Sequence, residues 1–458
     1  MPLNSVRQLL QVKPESLIAF LNHCLGYTLQ LAMFGLFAIK LSPNEYGVFV
    51  ICLAWSLIMA RLAALGIDFT MTRFIAKYDS TKSNATSAAL ISWGYRRILF
   101  ASIILSILTL TLGGLWNLQF EGKYTLEIAF TALLIPVNTC INVLFAELRG
   151  KAEVLLSTFG LNCVRPLIAL LSLFVISGNN SSTISEAFAS YLLGSLSSLA
   201  LLTIGCANTR KEKSHHIAHL VNENKNEWWK ASWPLLITGL AQLALRQSDV
   251  IILGMVATAE EVAYYSLAAK IAGICIFGVP IIDSIVAAKF TGLYETGVHQ
   301  PQQSLVTKAA RINLLITIFA AIVAVSTSLL ITSTEPRFDA RMVLLTSIIS
   351  FGWVLVASIG TGNILFAMSG KEGVLLRITF IFGLATIISN FISGSLLGSS
   401  GMAVSVSAIT VFYALYSRKM IFTHLDLNVD PFSFALVGPT ADKIKHNDDR
   451  SSLTGKAA

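Results

Sequence analysis

Six charged side chains fall well inside long apolar stretches of this 458-residue sequence, away from their ends: the cations Arg61, Arg165, Arg246 and Lys270, and the carboxylates Asp249 and Asp283. A charge held in hydrocarbon is costly, so such residues usually face a polar path or bind something charged. Guanidinium groups grip phosphate or carboxylate through paired hydrogen bonds, and an ammonium adds a compact positive charge. Four cations against two carboxylates suit an anionic passenger, particularly one bearing phosphate. The two carboxylates are the groups that would take up a proton or a sodium ion. Each residue also has a plainer reading. Arg246 and Asp249 stand three positions apart and would neutralise each other on one helix. Arg61 and Lys270 have stems long enough to reach toward the membrane surfaces. Arg165 has no acidic neighbour in its own segment, and its alternative is a bond to carbonyls freed by Pro166.

These residues need elements to carry them. The chain is 54% apolar and 13% charged, with a mean hydropathy of +0.70; soluble domains carry about 25% charged residues. Crossing a bilayer takes about 20 apolar residues, and such runs recur at 17–39, 46–66, 95–114, 126–146, 154–176, 186–207, 233–256, 264–288, 312–333, 342–367, 373–393 and 400–422. Backbone groups in hydrocarbon must bond internally, so the runs are read as helices. The fold expected is all-α and integral to the membrane, with about twelve transmembrane helices. At about 1.5 Å rise per residue, Arg165 and Arg246 sit near the centres of their spans. Arg61 lies roughly 7 Å to one side, Lys270 roughly 9 Å to the other, and Asp283 roughly 10 Å from its own span centre.

Basic residues set the expected orientation. With the N-terminus in the cytoplasm, the outer loops hold only Lys40, Lys123, Arg337 and Arg341, while 25 of the 33 Lys and Arg fall on cytoplasmic segments. Both termini are therefore expected inside, in a multi-pass membrane protein. The net charge of +8 then reports topology and gives no reason to expect nucleic acid as a partner. The first apolar run lacks a cleavage site close behind it and is expected to remain as a helix. All six cysteines lie in the apolar runs without metal-ligand spacing, so neither a disulfide framework nor a metal site is implied. His215, His216 and His219 are close in sequence, but no further ligand cluster accompanies them.

The chain also repeats itself. Asn142-Val-Leu-Phe-Ala146 returns as Asn363-Ile-Leu-Phe-Ala367, each followed by a Gly-Lys pair, Gly150-Lys151 and Gly370-Lys371. An internal repeat at this range, with an even number of spans in each copy, implies two parallel six-helix lobes around a central cavity. The boundaries expected are 1–207 for the first lobe, 208–232 for a cytoplasmic linker, 233–422 for the second lobe and 423–458 for a cytoplasmic polar tail. Residues 67–78 read as a short amphipathic helix at the interface. Pro136, Pro166, Pro234 and Pro280 stand inside spans, where each removes a hydrogen bond and bends or hinges its helix. Polar residues at helical spacing in the first span (Asn22, His23, Tyr27, Gln30) outline a hydrophilic face. There is no phosphate-binding loop and no soluble domain to hold an active site, so neither catalysis nor a cofactor is expected.

The stretches Asp249-Val-Ile-Ile-Leu-Gly254 and Ala263-Tyr-Tyr-Ser-Leu-Ala268 resemble the start of the second lobe in bacterial polysaccharide (O-antigen repeat-unit) flippases. Leu41-Ser-Pro-Asn-Glu-Tyr-Gly47, Leu65-Gly66, Arg73-Phe-Ile-Ala76 and Asn363-Ile-Leu-Phe-Ala367 agree, so the resemblance covers residues 15–422. These motifs also mark a wider superfamily that contains multidrug extruders and peptidoglycan-precursor flippases. The resemblance implies alternating access by two lobes and a passenger that is an undecaprenyl-diphosphate-linked oligosaccharide. It implies partners among membrane lipids, a polysaccharide polymerase and a chain-length regulator. The alternative within the superfamily is a proton- or sodium-coupled multidrug extruder, which would favour acidic cavity residues. A major-facilitator carrier would need a Gly-rich basic loop after the second span, absent from residues 66–78, and a membrane polymerase or acyltransferase would lack the internal repeat.

Overall fold

The computed structural model describes residues 14–118, 123–178, 182–209, 217–279, 299–335, 337–360 and 362–432, together with Ile282, Asp283, Val286 and Phe290. The first half contains α1 (Pro14–Lys40), α2 (Pro43–Ala63), α3 (Ile67–Ser80), α4 (Asn84–Asn117), α5 (Thr125–Gly150), α6 (Val154–Phe159), α7 (Arg165–Ser177) and α8 (Ile184–Thr209). Helices α6 and α7 are joined without a loop by a π-helical turn, Gly160–Val164. The second half contains α9 (Ile217–Val256), α10 (Ala259–Ala272), α11 (His299–Thr334), α12 (Ala340–Ile359), α13 (Asn363–Met368) and α14 (Glu372–Leu425).

Among the described residues eight helices are long and apolar enough to cross a membrane, or nine if α9, bent by 61° between Leu245 and Gln247, counts as one span. The protein is all-helical and multi-pass, and the expected count of twelve is met only in part. One reason is that α10 stops at Ala272 and passes into a 3-10 turn, Gly273–Ile276, where a continuous span 264–288 was expected. Another is that α14 takes in two expected spans. Its 54 residues would reach about 80 Å at 1.5 Å per residue, far more than one crossing needs. Gly398 interrupts it at φ +58°, and Ser389 and Ser405 hydroxyls lie 2.8 Å apart. Residues 16 apart on a straight helix would be about 24 Å apart, so α14 is a helical hairpin folded at Gly398. Large apolar side chains such as Phe100, Val175, Phe319 and Leu396 point outward, as a surface bathed in lipid requires.

Local chemistry explains several ends and crossings. Ser42 and Glu45 form a reciprocal capping box at the start of α2, and Thr258 caps α10 by accepting from the Glu261 N–H. These two capped helices cross where Gly47 meets Ala259: a Cβ on Gly47 would lie 1.7 Å from the Ala259 carbonyl oxygen. Only glycine permits that approach. Around it Phe37, Tyr46, Phe49, Phe188 and Tyr265 form the largest buried cluster. At the opposite end of the bundle, α3 forms where a short helix was expected over residues 67–78. Tyr78 on α3 accepts a hydrogen bond from Trp228 Nε1 of α9 at 2.9 Å.

The repeated Gly-Lys pairs do similar work. Lys151 donates to Thr209 at the end of α8 (3.0 Å), and Lys371 donates to the His424 carbonyl at the end of α14. A lysine near the last carbonyls of a helix also complements its dipole. The second half does not release its chain at residue 423. Helix α14 continues to Leu425, and residues 426–432 follow as an irregular segment ending in a turn, with Leu427 and Val429 fully buried. Gly360, at φ +91°, makes room for this: a Cβ there would lie 1.9 Å from the Val429 carbonyl oxygen. The remainder of the expected tail, 433–458, lies outside the described residues.

Candidate functional site

A cavity of about 270 Å³ opens among α1, α2, α5, α8, the π-helical turn and the start of α7, with Gln247 and Val250 of α9 and Lys270 of α10 also lining it. Its charged lining consists of Arg165 and Lys270. Among the described residues no carboxylate lines it. Five amides do: Gln30, Asn138, Asn142, Asn162 and Gln247. This volume is many times the roughly 10–15 Å³ that a single water needs.

Arg165 reaches the cavity because the helix widens just before it. Pro166 has no N–H to donate to the Asn162 carbonyl, so the normal α-helical bond there cannot form. The chain instead takes a π-helical turn at Gly160–Val164, a device often found at functional sites. Helix α1 seats closely against the turn at Gly26, where a Cβ would lie 2.6 Å from the Asn162 Cβ. Asn22 on α1 also donates to Thr158 at 2.7 Å. Arg165 Nη1 donates to the Tyr191 hydroxyl at 3.2 Å, with the guanidinium 5.9 Å from that ring centroid. Among the described residues, Arg165 Nε and both amide atoms of Asn138 are buried without a hydrogen-bond partner. Buried polar groups are normally satisfied, so these atoms present unused donors and acceptors in the cavity wall.

Lys270 approaches from the second half of the chain. Its Nζ lies 3.8 Å from the centroid of the Phe34 ring on α1, a cation–π contact in place of an ion pair. The Tyr27 hydroxyl donates to the Lys270 carbonyl at 2.8 Å, tying α1 to α10 just before α10 breaks. Asp249 is within electrostatic reach of Lys270, but its carboxylate accepts from the Tyr265 hydroxyl (2.7 Å) and the Val250 N–H (2.9 Å).

The sequence-derived set is thus partly assembled. Arg165 and Lys270 share the cavity. Arg61 does not line it: its guanidinium pairs with Asp68 at the start of α3 and lies 5.1 Å from the Phe69 ring centroid. Asp68 belongs to a helix outside the spans; burial pushes its carboxyl up, and Arg61 beside it pulls the other way. Arg246 lies on α9 at the 61° bend, and its side chain lies outside the described residues. Asp283 lines a separate cavity of about 10 Å³ with Asn313, Gly362 and Leu365. Among the described residues no His, Cys, Asp and Glu cluster could hold a metal ion. His219 pairs with Glu223 at 3.6 Å, and His215 and His216 lie outside the described residues. Of the polar face read in α1, Gln30 lines the cavity and Tyr27 makes the α1–α10 link. Asn138, Asn162, Tyr191, Gln247 and Phe34 were not singled out from sequence. The four-residue spacing of Asn138 and Asn142, which puts both on one helix face, was the available signal.

Comparisons with known proteins agree with this architecture. No curated protein matches the chain by sequence. Among solved structures, an inward-closed lipid II flippase MurJ superposes with a TM-score of 0.65 at 15% identity, covering 88% of this chain and 87% of that one. An inward-facing multidrug resistance transporter of the MATE family and MOP superfamily gives 0.63 at 14% identity, covering 87% and 95%. A Vibrio cholerae MATE transporter, VcmN, gives 0.62 at 13% identity, covering 89% and 97%. At such identities the likeness establishes the fold. The family described as polysaccharide biosynthesis protein matches residues 14–287, more than half of the sequence. The chain belongs to the polysaccharide biosynthesis protein family and is a multi-pass, helical membrane protein of MATE-like fold.

Proposed function

We propose that this protein flips an undecaprenyl-diphosphate-linked oligosaccharide, an O-antigen or related surface-polysaccharide repeat unit, from the cytoplasmic to the outer leaflet of a bacterial inner membrane. The observation that carries the reading is the charge of the cavity: Arg165 and Lys270 with five amides and no carboxylate among the described lining residues. That environment suits a diphosphate and repels the cationic compounds a multidrug extruder would carry. Membership of a polysaccharide biosynthesis family supports a saccharide passenger, and a lipid II flippase shares the fold.

In this reading both termini face the cytoplasm and the two halves act as lobes that rock about the cavity. Arg165 holds the diphosphate from the first lobe, Lys270 meets it from the second, and Arg246 on α9 adds a third cation. Arg61, paired with Asp68, steadies the cytoplasmic side of α2. Asp249 and Asp283 are the groups that would couple transport to a proton or sodium gradient. A polysaccharide polymerase and a chain-length regulator would take the flipped unit onward.

The test is a strain lacking the gene. Accumulation of diphosphate-linked repeat units and loss of surface polymer, both reversed by restoring the gene, are expected. Unchanged polysaccharide together with new sensitivity to cationic dyes would replace the proposal with the multidrug extruder.

A further inference from the structure

Helix α5 carries two of the five cavity amides one turn apart, Asn138 and Asn142, and the fold gives the first of them no internal bond to make. Pro136 stands inside the same helix and, lacking an N–H, frees the Ala132 carbonyl. That carbonyl is met from another helix: the Ser106 hydroxyl of α4 donates to it at 2.8 Å. Asn138 is 1% exposed, and among the described residues neither its Nδ2 nor its Oδ1 has a hydrogen-bond partner. Arg165 Nε is in the same condition in the same cavity wall, so the two side chains do not satisfy each other. Buried polar groups are normally paired, and the partner left for this amide is an occupant of the cavity.

The internal repeat supplies a second observation. Asn142 and Asn363 open matching motifs in the two halves. In the second half the amide is consumed by its own bundle: Asn363 Nδ2 donates to the Tyr413 hydroxyl at 3.1 Å, and its Oδ1 accepts from the Ser417 hydroxyl at 2.7 Å. Both partners lie on α14. In the first half Asn142 instead lines the cavity, one turn beyond Asn138. The same motif position is a staple between helices in one half and part of a cavity wall in the other.

A carboxamide offers two N–H donors and an acceptor oxygen. A diphosphate joined to lipid at one end and to sugar at the other has only acceptor oxygens at neutral pH, so it can meet Nδ2 but leaves Oδ1 unmet. A hydroxyl both donates and accepts, and neighbouring hydroxyls on a sugar ring can meet both ends of one amide. Residues four apart on a helix are separated by about 6 Å along its axis, a spacing that one sugar ring can bridge. Building on the flippase reading above, we infer that Asn138 and Asn142 read the hydroxyls of the sugar joined directly to the diphosphate, while Arg165 and Lys270 hold the phosphates. The amide pair sets which repeat units are accepted; the cations require only that the passenger be an anion.

The experiment uses full-length protein in nanodiscs and two probes: undecaprenyl diphosphate, and the sugar-bearing lipid that accumulates in the strain lacking the gene. The readout is the preference for the second probe over the first, as a ratio of dissociation constants. Wild type is expected to prefer the sugar-bearing lipid. Asn138→Leu keeps the bulk of the side chain but removes its donors and acceptor. It is expected to lower the preference about fivefold or more, the loss of two neutral hydrogen bonds. Arg165→Gln is expected to weaken binding of both probes and to leave the preference within about twofold of wild type. An unchanged preference in Asn138→Leu would leave the amide to water or phosphate and overturn the inference, as would a wild type with no preference. Empty Asn138→Leu is also expected to unfold at no lower a temperature than wild type, because an unpaired amide has no bond to lose; a lower midpoint with an unchanged preference would make Asn138 a packing residue. If Asn138→Leu is not monodisperse, Asn142→Leu, which alters the less buried amide, decides by the same ratio. A strain that accumulates no sugar-bearing lipid, or a wild type that binds neither probe, would remove the flippase reading itself and this inference with it.

Discussion

Replacing Arg165 by Gln removes the charge while keeping a polar side chain of similar reach. Among the described residues the guanidinium has one modest hydrogen bond, the 3.2 Å bond to Tyr191, and its Nε has none. Its donors are therefore largely uncommitted, and the loss should fall on ligand binding rather than on folding. A hydrogen bond to a charged group contributes about 1.5–3 kcal/mol, which corresponds to roughly a 10- to 160-fold loss of affinity. Arg165→Lys keeps the charge without the planar fork and should fall between wild type and Gln. Tyr191→Phe removes only the orienting bond, worth about 0.5–1.5 kcal/mol, or roughly a 2- to 12-fold loss. The assay is binding of undecaprenyl diphosphate to purified protein in nanodiscs, with a salt series to separate screened surface attraction from the buried site. A Gln variant that is monodisperse and binds within about twofold of wild type would refute the reasoning, since a charged contact cannot be lost at less than about 0.4 kcal/mol.

Three further outcomes are expected. Arg61→Ala leaves the buried Asp68 carboxylate without its partner and should destabilise the protein by about 3–5 kcal/mol, with Arg61→Ala/Asp68→Asn recovering part of that loss in detergent unfolding. Without Arg61 the Asp68 carboxyl, already pushed up by burial, rises further. The folded state then holds its proton more tightly than the unfolded chain, so the defect of Arg61→Ala should shrink as pH falls through the folded value and grow as pH rises; a pH-independent defect would count against the pairing. Gly47→Val forces a side chain into the Ala259 carbonyl and should cost about 1–3 kcal/mol and stop export, whereas normal thermal stability would show that α2 and α10 part freely. Asp249→Asn keeps an acceptor for Tyr265 but cannot take a proton, so it should preserve folding and abolish any dependence of transport on the proton gradient; unchanged gradient dependence would exclude Asp249 as the coupling group.

The sequence by itself determined that this chain is helical and lives in a membrane. Long uncharged runs admit no other backbone solution in hydrocarbon, and that argument depends on composition and run length alone. It also singled out Arg165 and Lys270, because a charge inside such a run is conspicuous whatever the fold. Tertiary structure decided what each charge meets. Arg61 and Asp68 are seven residues apart, on either side of the turn at Leu65 and Gly66, and no helical spacing foretold their pairing. The contact between Lys270 and Phe34, more than two hundred residues apart in sequence, depends on how α1 and α10 pack across the cavity. The π-helical turn that presents Arg165 has a local cause in Pro166, but its form depends on the close seat of α1 at Gly26. The segment 426–432 is the clearest case. Leu427 and Val429 are two apolar residues in a polar stretch, too few for any periodicity to register, and they are buried because Gly360, Gln303 and Arg311, distant in sequence, leave a channel of matching shape and hydrogen-bonding capacity.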